Sequence, residues 1–318
     1  MCGIIGYAGR RDAARVVVGG LKKLEYRGYD SYGFAIAGSE VSVYKKKGRI
    51  SGFDPSQFGK GGHVGIGHTR WATHGVPDDR NAHPHQDCSG NIAIVHNGII
   101  ENYAVLKKKL IEEGHVFASD TDSEIIAHLL EKYYDGDLLS ALSRTVEEIE
   151  GSYAILAVCK DESRIAAARQ GSPLVIGLGD GEIFASSDIT PLIEYTRKVI
   201  FLDDGDIVSF DSSGFRILNG GAEVQRKSEL IDWDIDSARK GGFEHFMIKE
   251  IYEQPDVFYN AFHSPIDSGI VEGISGASEI TVVGCGTSYH AGMIFRYLME
   301  KCTGTAVRVE IASEASYF

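Results

Sequence analysis

MCGIIGY, residues 1–7, is a short apolar run with a cysteine directly after the initial methionine. The run predicts a buried β-strand. If Met1 is removed, the thiol of Cys2 and a free α-amine belong to the same residue. An α-amine with a pKa of about 7.7–8.0 can accept a proton near neutral pH, as the base of an N-terminal nucleophile does in acyl transfer. Taken alone, Cys2 is nevertheless better explained as a small residue that starts a strand.

The segments after residue 7 predict one helix, then strands, then helices, then strands again. The helices are expected over 12–25, 102–113, 122–134 and 138–149, and the strands over 33–37, 41–44, 64–69, 92–96, 153–159, 164–169, 174–178, 183–186, 198–202 and 207–210. Strands and helices do not alternate one by one. This order therefore predicts an α+β fold with stacked layers of α, β, β and α.

The composition excludes several classes of protein. The chain has 318 residues, of which 43% are apolar, so it is not disordered over most of its length and has room for about two domains. It contains no apolar run of about 20 residues for a membrane span, and its start does not predict a signal peptide. A net charge of −13 argues against nucleic-acid binding. Five widely spaced cysteines predict a reducing, cytoplasmic location.

The last third of the chain has a different character. A polar, glycine-flanked stretch around 220–242 predicts an inter-domain linker. After it come an apolar strand over 280–283, the glycine-rich turn GCGTS, a helix over 290–301 and a strand over 307–311. This is one β-α-β unit. Two strands and one helix are too few to bury a core of their own.

Residues 96–98, His-Asn-Gly, follow the apolar strand that begins at residue 92. The side-chain amide of Asn97 and the backbone N–H of Gly98 are donors that could stabilise an oxyanion in acyl transfer. Asn-Gly is also among the commonest turn signals, so the pair alone does not distinguish a site from a plain turn at the end of a strand.

A substrate that carries both charges of an amino acid needs a cation and an anion. In HTRWATHG (68–75), Arg70 and His74 could hold a carboxylate, and Thr73 adds a hydroxyl. Asp122 could hold an ammonium group or could only cap the helix that follows it. Trp71 could belong to the core or form a wall of the site.

The segment NAHPHQDC (81–88) contains His83, His85 and Cys88. Their spacing loosely resembles a set of metal ligands, but no fourth ligand lies at a familiar distance. We therefore expect no metal and no cofactor, and we expect this segment to pack around the site.

Together these segments resemble a known family over the whole chain, from Cys2 to VEIASE near the end. The motifs that carry the resemblance are MCGIIGY, LEYRGYDSYG, HTRWATHG, NAHPH, VHNGIIENY, SDTDSE, QGSPLVIGLG, KEIYEQP and GCGTSYHAG. They are similar to those of the isomerizing glutamine–fructose-6-phosphate aminotransferases. The N-terminal half of these enzymes is a class II glutaminase with the four-layer αββα fold of N-terminal nucleophile hydrolases.

The resemblance implies roles for individual residues. It implies that Cys2 attacks the side-chain amide of glutamine, that its α-amine moves the proton, and that Asn97 and Gly98 bind the oxyanion. It implies that glutamine is held by Arg70, Thr73, His74 and Asp122. It also implies that Trp71 gates the passage of ammonia and that Arg27 supports the nucleophile.

The resemblance also implies a sugar-isomerase half, which in the family aminates fructose 6-phosphate for amino-sugar biosynthesis and mediates dimerisation. Thr287 and Ser288 would contact the sugar phosphate. We expect a glutaminase domain over 1–224, a linker over 225–245 and an incomplete isomerase domain over 246–318. The residues for the sugar chemistry are not in this chain, so it is expected to be competent at most for glutamine hydrolysis.

Two other functions remain open on the sequence alone. The first is another class II amidotransferase, such as the phosphoribosyl transferase of the purine pathway, although GCGTSYHAG does not resemble an acidic pyrophosphate-binding loop. The second is a non-catalytic module that senses glutamine or a sugar phosphate, which the presence of Cys2, Asn97 and Asp122 makes less attractive.

Overall fold

The computed structural model describes residues 2–58, 61–71, 75–160, 162–231, 243, 246–263 and 268–315. The chain divides into two compact units, Met1–Arg239 and Lys240–Phe318. In the described part of the chain, no helix is both long and apolar enough to cross a membrane.

The first unit contains fifteen of the described strands and four of the described α-helices. The strands are β1 (Gly3–Gly9), β2 (Ser31–Ala37), β3 (Val41–Lys47), β4 (Val64–Arg70), β5 (His85–Gln86), β6 (Ile92–Ile100), β7 (Gly151–Cys159), β8 (Ile165–Gln170), β9 (Val175–Gly179), β10 (Glu182–Ser186), β11 (Lys198–Phe201), β12 (Asp206–Phe210), β13 (Phe215–Asn219), β14 (Ala222–Val224) and β15 (Glu229–Leu230). The helices are α1 (Ala13–Leu24), α2 (Tyr103–Glu112), α3 (Glu124–Tyr133) and α4 (Leu138–Glu148). Short 3₁₀ turns occupy Glu25–Arg27 and Pro55–Phe58.

These strands form two antiparallel sheets. One has the order β15-β11-β9-β10-β1-β4-β2-β3, and the other has the order β14-β13-β12-β8-β7-β6-β5. Strand β1 lies inside the first sheet, between β10 and β4. The buried strand predicted from MCGIIGY is therefore confirmed, and Cys2 immediately precedes it.

Three apolar clusters define the layers. Because side chains alternate across a strand, Ile4 of β1 packs between the two sheets with Leu156 of β7, whereas Ile5 packs against α1. On the far side of the second sheet, Ile155 of β7 packs with Ile125 of α3, in the cluster that also includes residues of α2 and α4. The predicted order of layers, α, β, β and α, is confirmed.

Two sequence-based boundaries differ from the structure. Strand β6 was expected to end at residue 96, but it continues to Ile100 because residues 97–100 pair with β7. Part of the expected linker, 225–245, is packed on the first unit: Arg226 pairs with Asp206, with 2.7 Å between guanidinium nitrogen and carboxylate oxygen, and β15 pairs with β11.

The second unit contains α5 (Phe246–His263), α6 (Ser268–Ser275), β16 (Glu279–Gly284), α7 (Thr287–Thr303) and β17 (Ala306–Ile311). Strands β16 and β17 are parallel neighbours, as expected for a β-α-β unit. Among the described side chains of this unit, Val307 is the one buried hydrophobic side chain, while Tyr252, Phe262 and Tyr297 are exposed. The described residues thus bury very little apolar surface within the unit.

Candidate active site

A cavity of about 320 Å³ in the first unit collects most of the residues expected at the site. The expected residues that line it are Cys2, Arg27, Arg70, Trp71, Asn97, Gly98 and Asp122. They meet because β1 pairs antiparallel with β4, with Gly3 opposite Thr69, so that the start of β1 lies beside the end of β4. Asn97 and Gly98 reach the same cavity from β6 in the second sheet.

The thiol of Cys2 is held by the backbone of Trp71. The N–H of Trp71 donates to the Cys2 Sγ at 3.1 Å, and the thiol donates to the carbonyl oxygen of Trp71 at 3.4 Å. Burial raises the pKa of this thiol above its ordinary value, although the hydrogen bond from Trp71 and the charge of Arg70 oppose the rise. The thiol is therefore protonated at neutral pH and needs a base before it can act as a nucleophile.

The side-chain amide of Asn97 is oriented toward the nucleophile. Its Nδ2 donates to the backbone carbonyl oxygen of Cys2 at 3.0 Å, and its Oδ1 lies 3.1 Å from Nε2 of His68. Burial and nearby positive charge lower the pKa of His68 to about 3, so the ring is neutral. With the proton on Nε2, His68 donates to Oδ1 and leaves the NH₂ group facing Cys2. Sequence reasoning assigned no role to His68, although it begins the HTRWATHG motif.

Asn97 and Gly98 do not form the turn that the sequence suggested, because they lie inside β6. Gly98 has a φ of +130°, and a methyl group on its α-carbon would overlap the carbonyl oxygen of Ser152 on β7. Only glycine fits this backbone at this approach to the neighbouring strand. Glycine is therefore required at position 98 by the close approach of β7, and not by a turn.

Gly98→Ala is expected to lower the free energy of unfolding far more than Gly114→Ala. Gly114 also has a positive φ, +102°, but no atom lies within 4 Å of a methyl group added there. Gly114→Ala is therefore expected to lower the free energy of unfolding only by the backbone strain, about 1–3 kcal/mol. Gly98→Ala has this strain and, in addition, a clash with the carbonyl oxygen of Ser152. Urea unfolding of both variants measures the difference, and equal losses would contradict the close approach at Gly98.

Asp122 is not a helix cap. Helix α3 begins at Glu124 with Ser123 as its N-cap residue, and Oδ2 of Asp122 instead accepts from the N–H of Ile100 at 2.9 Å. The Asp122 residue is buried and its carboxylate is fixed at the cavity. Arg70 is also buried at the cavity, and one of its guanidinium nitrogens donates to the carbonyl oxygen of Gly75 at 3.1 Å. The cavity is thus lined by a buried cationic side chain, Arg70, and a buried anionic side chain, Asp122.

The other expected residues are Arg27, Trp71, Thr73, His74, Thr287 and Ser288. Arg27 forms an ion pair with Asp188 at 2.7 Å. Trp71 is 46% exposed and packs edge-on against the ring of Tyr29, so it is not a core residue. Thr73 and His74 lie outside the described residues. Thr287 and Ser288 are the first two residues of α7 in the second unit.

The NAHPHQDC segment separates into two environments. His83 is buried at the cavity, where its ring stacks on that of His68 at 4.1 Å and its Nδ1 accepts from the N–H of His96 at 3.2 Å. Burial holds the pKa of His83 and of His85 well below the usual range. The thiol of Cys88 instead lies beside two other histidines, His115 and His128. The packing of His83 against the site agrees with the sequence-based expectation.

Comparisons with known proteins agree with the geometry. A family model for a glutamine amidotransferase domain matches residues 68–194. The fold is shared with the glutamine phosphoribosylpyrophosphate amidotransferase of B. subtilis, with a TM-score of 0.62, 20% identity, and coverage of 97% of this chain and 65% of that one. The first comparison shows that residues 68–194 resemble a glutamine amidotransferase domain, and the second shows that the chain shares the fold of a glutamine-using amidotransferase.

Comparison with curated sequences finds relatives whose identity to this chain is higher than that of the structural neighbour. Over 100% of its length the chain is 46% identical to the isomerizing glutamine–fructose-6-phosphate aminotransferase of Thermotoga maritima and 47% identical to that of Symbiobacterium thermophilum. In each case it covers 55% of the relative, so the chain spans about half the length of the curated relatives it matches. The resemblance found from the motifs is confirmed: the chain is similar throughout to part of the isomerizing glutamine–fructose-6-phosphate aminotransferases.

Proposed function

We propose that the first unit hydrolyses L-glutamine to glutamate and ammonia, with Cys2 as the nucleophile. The observation that carries this proposal is the single cavity in which the Cys2 thiol, the Asn97 amide and the buried side chains of Arg70 and Asp122 meet. The similarity to a glutamine amidotransferase domain supports the same chemistry.

In the proposed reaction, the α-amine of Cys2, free after removal of Met1, takes the proton of the thiol. The thiolate attacks the side-chain amide carbon of glutamine, and the negative charge moves to the amide oxygen. The amide NH₂ of Asn97 and the N–H of Gly98 stabilise this oxyanion. The ammonium group of Cys2 returns the proton to the leaving nitrogen, and ammonia departs. Water then hydrolyses the thioester and releases glutamate.

The substrate is proposed to bind through its α-carboxylate and α-ammonium groups. Arg70 pairs with the carboxylate, assisted by Thr73 and His74, and Asp122 pairs with the ammonium group. A buried cation and a buried anion that line the same cavity favour a zwitterion over a singly charged amide. Trp71 is proposed to gate the route by which ammonia leaves, and Arg27 to support the loop beside the nucleophile through its ion pair with Asp188.

For the complete protein, we propose delivery of the ammonia to fructose 6-phosphate to form glucosamine 6-phosphate. The names of the relatives and the identity of 46–47% support this acceptor. The glutaminase domain is proposed to extend through β15, and residues 246–318 to begin a sugar-isomerase domain in which Thr287 and Ser288 contact the phosphate. A homodimer and a cytoplasmic location are proposed for the complete protein.

A test of the proposed function uses a diazoketone analogue of glutamine together with an assay of glutamate release. The chain with Cys2 at its N-terminus is expected to release glutamate from L-glutamine and to incorporate one analogue per chain at Cys2, with glutamine slowing the labelling. Absence of both glutamate release and Cys2 labelling in a folded chain would favour the non-catalytic sensing module instead.

A further inference from the structure

Four potential metal ligands meet in the first unit at a place that the proposed reaction does not use. They are the Sγ of Cys88, one ring nitrogen each of His115 and His128, and one carboxylate oxygen of Glu131, and all four atoms lie within 4.8 Å of one another. Cys88 lies in the turn between β5 and β6, and His115 follows α2. His128 and Glu131 are three residues apart on α3, so they share one face of the helix.

Three of the distances among these atoms are close to those of a tetrahedral site. The Cys88 Sγ lies 3.7 Å from Nδ1 of His115 and 3.5 Å from Nδ1 of His128, and Glu131 Oε2 lies 3.5 Å from the same nitrogen of His128. Zinc bonds of about 2.0 Å to nitrogen or oxygen and about 2.3 Å to sulfur hold tetrahedral ligands about 3.3–3.5 Å apart. The fourth distance, between His115 Nδ1 and Glu131 Oε2, is 2.8 Å. It would have to lengthen appreciably when zinc binds.

A second carboxylate supports one of the ligands. Nε2 of His128 lies 3.6 Å from Oε1 of Glu124, and both residues are buried. Within the described part of the chain this nitrogen has no hydrogen-bond partner. Histidine ligands of metals commonly donate their second ring N–H to a carboxylate, which fixes the ring and the tautomer. His128 is oriented for this arrangement, because its Nδ1 faces the cluster and its Nε2 lies near Oε1 of Glu124, at 3.6 Å.

We propose that Cys88, His115, His128 and Glu131 form a structural zinc site. The ligand set of one thiolate, two imidazoles and one carboxylate suits zinc, whereas calcium and magnesium prefer oxygen ligands. On binding, the Cys88 thiol releases its proton, so that the thiolate and the Glu131 carboxylate neutralise the two charges of the ion. Four protein ligands leave no open position, as in structural rather than catalytic zinc sites.

The site ties together three segments that are far apart in the sequence. Zinc would join the β5–β6 turn and the loop after α2 to α3, which begins two residues after Asp122. Bound metal is therefore expected to stabilise the folded state. The sequence-based expectation of no metal considered Cys88 with His83 and His85, and it missed the ligands that only the fold brings to Cys88.

The experiment uses the whole chain, purified under reducing conditions without a histidine tag and stripped of metal by a chelator. Zinc is titrated in competition with a chromogenic chelator, and cobalt is added separately as a spectroscopic probe. We expect one zinc per chain, a higher Tm with zinc, and a cobalt spectrum with a thiolate charge-transfer band and tetrahedral d–d bands. No zinc uptake at equimolar concentration, or a cobalt spectrum without the thiolate band, would overturn the proposal.

Matched variants assign the ligands. Cys88→Ser should abolish the charge-transfer band. Glu124→Gln, which removes only the carboxylate behind His128, should weaken zinc binding by roughly 10–100-fold. His115→Gln removes a ligand and should weaken zinc binding by more than that. Cys302→Ser and His63→Gln, at exposed positions outside the cluster, should bind zinc like the parent chain, and so should Cys2→Ala. Circular dichroism checks that each metal-free variant is folded. Parent-like binding by Cys88→Ser would refute the assignment, whatever the glutaminase activity.

Discussion

Cys2→Ala is expected to slow glutamate release by at least about 10⁴-fold, in line with the loss of a catalytic nucleophile in other acyl-transfer enzymes. The remaining groups of the cavity still bind glutamine, but alanine has no atom that can form the thioester. At about 1.4 kcal/mol for each factor of ten, this corresponds to about 5.5 kcal/mol of lost transition-state stabilisation. A steady-state assay of glutamate release measures the effect directly.

The control for this variant is Cys302→Ala, at an exposed position in the last turn of α7. It should release glutamate at the parent rate, which shows that the loss is specific to Cys2. Thermal unfolding of Cys2→Ala should remain close to that of the parent, because within the described residues the Sγ of Cys2 makes two hydrogen bonds, both with the backbone of Trp71. Glutamate release within tenfold of the parent rate would contradict the assignment of Cys2 as the nucleophile.

A chain that keeps a residue before Cys2 is expected to lose most of its glutaminase activity. An amide nitrogen at Cys2 cannot accept the thiol proton, and removal of a general base typically costs about 10²–10⁴ in rate. The cost should be large here, because burial raises the pKa of the Cys2 thiol and leaves little thiolate without a base. The measurement compares one preparation before and after a protease removes an N-terminal extension to expose Cys2.

Mass spectrometry confirms the N-terminus in each sample. The same extension before Cys2→Ala should give an inactive chain both before and after cleavage, so that any gain in activity requires the Cys2 thiol. If the uncleaved parent chain released glutamate at the rate of the cleaved chain, the α-amine would not be the base.

The sequence predicted the layers of the first unit well, because strand alternation and helix capping are local properties. The expected helix over 12–25 corresponds to α1, and Asp12 accepts from the N–H of Arg15 as an N-cap residue should. The predictions were weaker where pairing extends an element: β6 continues past residue 96 because β7 lies beside it. A propensity for turns at Asn-Gly does not outweigh hydrogen bonds with a neighbouring strand.

The candidate site was largely predicted from residue types within contiguous motifs. Cys2, Arg70, Asn97 and Asp122 were candidates by their chemistry, the family resemblance implied their roles, and they all line one cavity. His68 was missed because its effect is indirect: it orients the amide of Asn97 from behind, and no spacing in the sequence connects residues 68 and 97.

The sequence by itself thus determined the class of fold, the identity of the nucleophile to be tested and the family that the chain resembles, since these depend on local periodicity and on motifs of a few residues. Only the tertiary structure decided that Asp122 binds the backbone of Ile100 instead of capping its helix, and that Cys88 meets His115, His128 and Glu131. The physical reason is that such contacts form between segments far apart in the chain, and their geometry is set by how the sheets and helices pack.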